Sequence, residues 1–192
     1  MRFLNLSFAG FGVRAGQLML LSLWALMGPS VWAASADELF APIAKVVTSP
    51  RCLNCHASGD FPTQGDQLVR HSQMVMRGDG HGLPTLRCTT CHQSANSADG
   101  RVPGAKEGWQ MPALSMGWQG KSAAQICAVM TDPSKNGGRK TPQDTIDHML
   151  VDDLVHWAWR PGAGRTVPPV PFDQFIDALK VWAKAGAPCP KN

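Results

Sequence analysis

A strong charge of either sign is missing from this sequence. The 192 residues include 18 basic and 14 acidic ones, for a formal net charge of +4. Removing Arg2 and Arg14, which lie in an N-terminal leader, leaves 16 basic residues and a net charge of +2. So weak a balance gives no electrostatic reason to expect binding to nucleic acid or to a membrane surface.

Long apolar runs are nearly absent as well. The main one, Leu18–Met27, follows positively charged residues and is broken by Gly28-Pro29. Two triplets after it, Val31-Trp32-Ala33 and Ala34-Ser35-Ala36, resemble the small-x-Ala cleavage pattern of secreted proteins. We therefore predict a cleaved signal peptide over residues 1–36.

An uncleaved membrane anchor is the alternative, because residues 15–34 are nearly long enough to span a bilayer. Gln17, Gly28 and Pro29 interrupt that stretch and favour cleavage. No second apolar run of similar length follows in the sequence. We expect a soluble, periplasmic mature chain without a membrane span, forming one domain over residues 37–192.

Strand-like alternation is scarce and no internal repeat is visible, so the pattern favours a mostly α fold. The 19 Gly and 15 Pro residues indicate long loops, and a modest apolar core would be marginal on its own. The predicted helices are residues 37–48, residues 67–77, a helix capped by Ser122 that runs through Met130, a helix from Pro142 to Trp157, and a helix from Phe172 that ends near Gly186.

Four of the six cysteines lie in two C-x-x-C-H motifs. These motifs are Cys52-Leu53-Asn54-Cys55-His56 and Cys88-Thr89-Thr90-Cys91-His92. The motif is the attachment site of c-type haem: two thiols form thioether bonds with the porphyrin, and the following imidazole is the proximal ligand of the iron. Two covalent haem c groups would also supply the apolar surface that the chain lacks.

A zinc site and a thioredoxin-like dithiol are the alternative interpretations of C-x-x-C. Two complete copies of C-x-x-C-H behind an export signal favour haem attachment over both. We therefore predict a dihaem cytochrome c, in which Cys52, Cys55, Cys88 and Cys91 bind the cofactors. The fold expected for it is a small helical cytochrome c-like domain with long loops wrapped around two covalent haems.

The two remaining cysteines are Cys127 and Cys189. In an oxidising compartment a disulfide between them is the expected outcome. It would tie the C-terminal tail to a helix in the middle of the chain. Two separately buried free thiols are the alternative.

The segment Gly78-Asp79-Gly80-His81-Gly82 is too rich in glycine for regular structure. Such a segment indicates backbone that passes close to a bulky group. A porphyrin edge is the candidate for that group.

The sequence resembles a family of dihaem cytochromes c associated with bacterial molybdenum hydroxylases, often labelled an isoquinoline 1-oxidoreductase subunit. The resemblance extends from about Cys52 to Pro190. It implies a haem electron acceptor for a periplasmic dehydrogenase, with a redox protein such as a molybdenum hydroxylase as partner. The chain has neither a molybdopterin-domain pattern nor the cysteines of a ferredoxin domain. The motifs that carry the resemblance are PTQGD, RGDGHG, RCTTCHQSAN, WQMPALSMGWQG, NGGR, HMLVDDLVHWAW, PGAGR and GAPCP.

His56 and His92 are the predicted proximal iron ligands, and each iron has a sixth position to fill. His71 and His148 are the leading distal candidates. His71 is on a predicted helix, and His148 has Asp144 and Asp152 one helical turn away on either side. The other candidates, in decreasing order of preference, are His81 and Met116, then His156, with Met111 of a Met-Pro pair also open.

Two classes of function fit these features. The first is an electron-transfer protein with no catalytic residues, in which both irons are six-coordinate. The second is a dihaem enzyme such as a peroxidase, in which one iron keeps an open position for substrate. Small size and surplus His and Met ligands favour electron transfer. A haem-based sensor would need an output domain, and the sequence has none.

Overall fold

The computed structural model describes residues 34–191. The predicted signal peptide, residues 1–36, therefore lies outside the described residues except for residues 34–36. Cleavage stays a prediction.

Helices dominate the described residues, and the strands there are only two residues long. This confirms the expected mostly α fold. The helices are α1 (Ala36–Val47), α2 (Pro50–Cys55), α3 (Ala123–Met130), α4 (Pro142–Val151), α5 (Asp153–Trp157) and α6 (Phe172–Lys184). The strands form two antiparallel pairs, β1 (Thr63–Gln64) with β2 (Val69–Arg70) and β3 (Gly82–Leu83) with β4 (Leu86–Arg87).

Local capping residues explain where the predicted helices begin. Ser35, Ser122 and Thr141 each accept a hydrogen bond from the backbone three residues later, and the acidic or amide side chain at that position bonds back. This reciprocal arrangement satisfies backbone donors that the first helical turn leaves free. At the other end of the chain, Gly186 has φ of +87°, which ends α6 as predicted.

The apolar faces of α1, α3, α4 and α6 pack together into what we call the helical core. Trp182 of α6 lies against Phe40 of α1, with ring centroids 5.7 Å apart. Burial of large side chains is the main source of stability here. The buried members are Phe40, Ile43, Val46, Val47, Trp118, Ile126, Cys127, Val129, Met130, Ile146, Phe175, Ile176, Leu179 and Trp182.

The predicted disulfide is confirmed. Cys127 of α3 is bonded to Cys189, with Cα atoms 5.5 Å apart. The bond joins positions separated by 62 residues. It therefore fixes the tail after α6 to the helical core.

The predicted helix over residues 67–77 is wrong. The chain instead forms the β1–β2 hairpin and then continues without regular structure. Leu68 and Met74 have φ of +52° and +54°, values that a right-handed helix does not allow. Gly65, at φ +71°, allows the turn between the strands.

The predicted single helix from Pro142 to Trp157 is divided at Asp152. This residue has an extended backbone, with φ −76° and ψ 122°. Its carboxylate accepts hydrogen bonds from the backbone N–H groups of Leu154 and Val155, so it ends α4 and caps α5.

Residues 57–112, which we call the loop region, have almost no helix and a very small core. Cys88, Trp109 and Met111 form its buried cluster, with Cys55 and Leu154 packed against it. A segment of this length with so little buried apolar surface is not expected to be stable alone. None of the helices in residues 34–191 has the length and apolar character needed to cross a membrane.

The glycine-rich segment packs closely against the chain's own backbone. A Cβ atom on Gly82 would lie 2.6 Å from the carbonyl oxygen of Leu86, and one on Gly78 would lie 2.7 Å from that of Gly82. Protein backbone therefore accounts for the glycines at these two positions. The porphyrin edge proposed from the sequence is not needed to explain them.

Candidate haem sites

The first C-x-x-C-H motif is built on α2. Pro50 begins the helix, and Cys52 and Cys55 are one turn apart, which places their side chains on one face. His56 ends it, with its N–H donating to the carbonyl of Cys52 at 2.9 Å. Because Cys52 and Leu53 pack against the helical core, this motif has a rigid support.

The second motif has a similar local geometry on a weaker support. Residues Cys88–Thr90 form a short 3-10 turn, and the N–H of His92 donates to the carbonyl of Cys88 at 3.0 Å. Cys88 is buried, whereas Cys91 is exposed. The same residue pattern therefore gives the same turn on two different scaffolds.

Both motif histidines are oriented by a backbone carbonyl. Nδ1 of His56 donates to the Met116 carbonyl at 2.8 Å, and Nδ1 of His92 donates to the Pro103 carbonyl at 2.7 Å. This hydrogen bond fixes the tautomer in which Nε2 carries a free lone pair. It is the usual outer partner of a metal-ligating imidazole.

Each motif histidine also stacks on a tryptophan. The rings of His56 and Trp118 are parallel within 3° and 3.5 Å apart, and those of His92 and Trp109 are tilted by 23° and 4.3 Å apart. The stack and the Nδ1 hydrogen bond together restrict each ring to one orientation. Trp118 and Trp109 therefore hold equivalent positions beside the two motif histidines.

The surroundings of the histidines keep them neutral. Burial lowers the pKa of His56 to about 3, against the opposing effect of its hydrogen bond to Met116. Burial also lowers the pKa of His92 and of His148. For His71, burial is again the main cause of a lowered pKa, followed by the nearby His92. A neutral imidazole is the form that binds a metal.

The thiols of the first motif are less acidic than a free cysteine. Cys52 and Cys55 are partly accessible, yet burial raises the pKa of Cys52 to about 11 and that of Cys55 to about 12. A reactive dithiol needs the opposite shift, since its thiolate must form near neutral pH. The dithiol alternative therefore has no support at this motif.

The zinc alternative has no support either. A structural zinc site brings four His, Cys or carboxylate ligands together. Within residues 34–191, no group of three or more such side chains is arranged to hold a metal ion. A haem iron requires only one or two protein ligands, because the porphyrin supplies the other four.

His71 lies opposite the second motif, although it follows the first motif in sequence. Its ring centroid is 6.3 Å from that of His92, with planes at 63°. Two imidazoles on opposite sides of one iron are held about 6 Å apart, because each metal–nitrogen bond is about 2 Å long and each ring adds its radius. The distance between the two rings would therefore allow both to bind one iron.

His148 of α4 lies within electrostatic reach of the first motif, because a proton on His148 would lower the pKa of His56. Its Nδ1 is 3.6 Å from a carboxylate oxygen of Asp152, so Asp152 is the carboxylate that lies beside the ring. Asp144, the other candidate, instead accepts hydrogen bonds from the backbone of Lys140 and Thr141.

The remaining distal candidates have other surroundings. His81 is exposed, and Nε2 of His156 bonds to the Leu150 carbonyl at 2.7 Å. Met111 is buried beside Trp109 in the cluster of the loop region, and Met116 packs partly against the helical core.

Buried polar atoms without hydrogen-bond partners are concentrated around the motifs. Such atoms are rare in folded proteins and call for an explanation. Among the described residues they all fall within residues 49–118, the segment that contains both motifs. This distribution and the neutral histidines fit a cofactor with polar groups. The atoms are Ser49 Oγ, Arg51 Nε and Nη1, His71 Nδ1, Arg77 Nε, Trp109 Nε1 and Trp118 Nε1.

The sequence alone did not indicate that Arg51 and Arg77 are buried. Arg77 crosses beneath the first motif and donates to the carbonyls of Ala57 at 2.8 Å, Gly59 at 3.0 Å and Pro112. Arg51 pairs with Asp66. Nothing in the sequence signals either burial, since Arg87 holds the same position before the second motif as Arg51 holds before the first and its side chain is 41% exposed.

A surface hollow of about 360 Å³ between α4 and α6 contains no cysteine or histidine, and it lies apart from these sites.

Comparison with known proteins gives no relative: no family description, curated protein or solved structure matches this chain.

Proposed function

We propose that this chain is an exported dihaem c-type cytochrome. It passes electrons from a dehydrogenase to the respiratory chain or to another carrier. The sequence resemblance implies a molybdenum hydroxylase as that dehydrogenase. The observation that carries the proposal is that both C-x-x-C-H histidines present a free Nε2 beside a pair of cysteines, with Nδ1 held by a backbone carbonyl.

Each motif would hold one haem c. Cys52 and Cys55 would form the thioether bonds at the first site, and Cys88 and Cys91 would form them at the second. His56 and His92 would bind the irons. When bound, haem supplies an iron that takes up and releases one electron, and the protein fixes its ligands and surroundings.

The proposed distal ligands are His71 for the second site and His148 for the first. The 6.3 Å separation of the His71 and His92 rings supports the first assignment. The position of His148 near His56, with Asp152 on its Nδ1 side, supports the second. Filled axial positions suit a carrier, because oxygen or peroxide then has no site at which to bind.

The closeness of the two sites supports electron transfer between them. Cys55 of the first motif packs against the buried cluster that contains Cys88 of the second. The His71–His92 pair brings a residue from the segment after the first motif to the second site. Electrons arriving at one haem would therefore have a short route to the other.

Optical and EPR spectra of the holoprotein test this function. We expect two low-spin, six-coordinate haems that bind carbon monoxide poorly. His71→Ala and His148→Ala should each convert one haem to a high-spin form that binds carbon monoxide, whereas His81→Ala, at an exposed position, serves as the control and should leave both spectra unchanged. High-spin ferric haem and ready carbon monoxide binding in the wild-type protein would instead favour a dihaem peroxidase.

A further inference from the structure

The segment Met116-Gly117-Trp118 contacts His56 in three ways. Nδ1 of His56 donates to the Met116 carbonyl at 2.8 Å, and the backbone N–H of Trp118 donates to the His56 carbonyl at 2.7 Å. The indole of Trp118 lies parallel to the His56 ring within 3°, with ring centroids 3.5 Å apart. One tripeptide therefore holds the backbone, the Nδ1 edge and one face of the first motif histidine.

The close approach of this tripeptide favours glycine at its centre. A Cβ atom on Gly117 would lie 3.0 Å from the Ala57 carbonyl oxygen and 3.0 Å from the Cα atom of Ser58. These two residues directly follow His56, so the tripeptide packs against the chain that carries the predicted ligand. Trp118 is 3% exposed and belongs to the helical core, which supports the contact from behind.

Hydrogen bonding of the indole does not account for the position of the Trp118 ring. Its Nε1–H is buried and has no partner. Trp159, which packs against the helical core, instead donates its indole N–H to the Val170 carbonyl at 2.9 Å. A buried N–H without a partner costs free energy. The specific contact of the Trp118 ring is therefore its stack on the imidazole of His56.

A stacked indole can act on an iron through the imidazole between them. The face of an aromatic ring carries partial negative charge and attracts positive charge placed against it. An imidazole bound to ferric iron is more positive than one bound to ferrous iron, because it donates more electron density to the metal. The stack should therefore stabilise the ferric state, and it also limits rotation of the imidazole about its bond to the iron.

We propose that Trp118 is a positioning residue for the proximal ligand of the first haem: it fixes the plane of the His56 ring and lowers the reduction potential of that haem. This inference rests on the proposed function and deepens it, because it assigns a residue that tunes the electron carrier. Trp118 acts only through the His56 ring and does not contact the iron.

The second site has the same parts in a looser arrangement. Nδ1 of His92 donates to the Pro103 carbonyl at 2.7 Å, and its stacking partner Trp109 belongs to the small buried cluster of the loop region. The two rings are 4.3 Å apart and tilted by 23°. Because a tilted and more distant ring gives a weaker stack, Trp109→Leu should change the second haem less than Trp118→Leu changes the first.

Spectroelectrochemical titration and NMR of the holoprotein test the inference, with the first haem assigned through its thioether links to Cys52 and Cys55. Trp118→Leu should raise the potential of the first haem. It should also move the hyperfine-shifted methyl resonances of that haem in the ferric state, because these resonances depend on the orientation of the imidazole plane. Trp118→Phe, which keeps an aromatic face, should give smaller changes of the same sign.

Trp159→Leu is the matched control. It removes the same side chain from a place where the ring contacts Phe172 and Phe175 and no motif histidine. It should lower stability in denaturant unfolding and leave the potential and the resonances of the first haem unchanged. A purely structural role of Trp118 predicts the opposite sign for Trp118→Leu, because water admitted beside His56 would favour the more positive ferric state and lower the potential.

The wild-type holoprotein provides a test that does not depend on whether a variant folds. In the ferrous low-spin state, nuclear Overhauser effects should connect the indole protons of Trp118 to the ring protons of His56. Their absence would overturn the inference, and so would a Trp118→Leu protein with two haems whose first haem has an unchanged or lower potential. Both outcomes leave the dihaem proposal standing, whereas a wild-type protein without two covalent haems would contradict the proposed function itself.

Discussion

The two C-x-x-C-H motifs have the same residue pattern, but they lie in two regions with different support. The first is on α2, packed against a helical core of large buried side chains, and the second is in a loop region whose buried cluster is Cys88, Trp109 and Met111. Arg51 before the first motif is buried, whereas Arg87 before the second is 41% exposed. The shared motif therefore gives the two proposed haem sites the same local geometry, while their surroundings differ in packing and in charge.

Removing the attachment cysteines should give the largest effect. In Cys88→Ala/Cys91→Ala we expect loss of one haem, retention of the helical circular dichroism signal, and protease cleavage within residues 57–112, because that region depends on the cofactor for its core. In Cys52→Ala/Cys55→Ala we expect loss of helical signal as well, because α2 packs on the helical core. Equal loss of helix in both variants would contradict the difference between the regions.

Removal of the disulfide should lower the stability of the helical core and leave both haem sites unchanged. Cys127→Ala/Cys189→Ala removes a crosslink over 62 residues, which should lower the free energy of unfolding by about 4 kcal/mol. Denaturant unfolding followed by circular dichroism measures this. Both haems should remain bound with unchanged spectra. Loss of the second haem in this variant would show that the two regions are more tightly coupled than we describe.

Substitution of Asp152 should have a smaller effect, which should be seen both in helix stability and at the first haem site. Asp152→Ala removes the cap of α5, at a cost of about 1 kcal/mol in stability, and removes the carboxylate beside the His148 ring. Asp152→Asn, the matched control, can still cap the helix but lacks the charge. In thermal unfolding, Asp152→Ala should be less stable than Asp152→Asn. Both variants should increase carbon monoxide binding at the first haem more than at the second. Equal stability of the two variants would contradict the capping role.

The choice between the two candidate cleavage sites should have the smallest effect. Cleavage after Ala33 keeps the capping box of Ser35 and Glu38 at the start of α1, whereas cleavage after Ala36 removes it. The box contributes about 1 kcal/mol to a helix terminus. N-terminal sequencing of the mature protein should therefore begin at Ala34. A start at Asp37 would agree with the boundary predicted from sequence and would leave α1 without this cap.

Local signals in the sequence predicted the helical region well. Ser122 and Thr141 marked helix starts because a cap acts on the residues directly after it. The disulfide followed from counting cysteines, since the predicted haem attachment left only Cys127 and Cys189. These predictions depend on neighbouring residues or on composition, and neither requires knowledge of the tertiary structure.

Features that depend on contacts between residues distant in sequence could not be predicted in this way. The pairing of His71 with His92 depends on the β1–β2 hairpin, and that hairpin depends on left-handed backbone at Leu68, a residue that gives no such signal. The division of the predicted helix at Asp152 was hidden by apolar residues on both sides. The buried state of Arg51 reflects packing against Asp66, which lies 15 residues away.

The central claim is that each motif carries one covalent haem, and mass spectrometry of the denatured, purified protein tests it most directly. Denaturation releases haem that is merely bound, while thioether-linked haem stays on the chain. We predict the mass of the mature polypeptide plus two haems, with haem peptides containing Cys52 and Cys55 and, separately, Cys88 and Cys91. A mass that corresponds to one haem, or to none, would contradict the account.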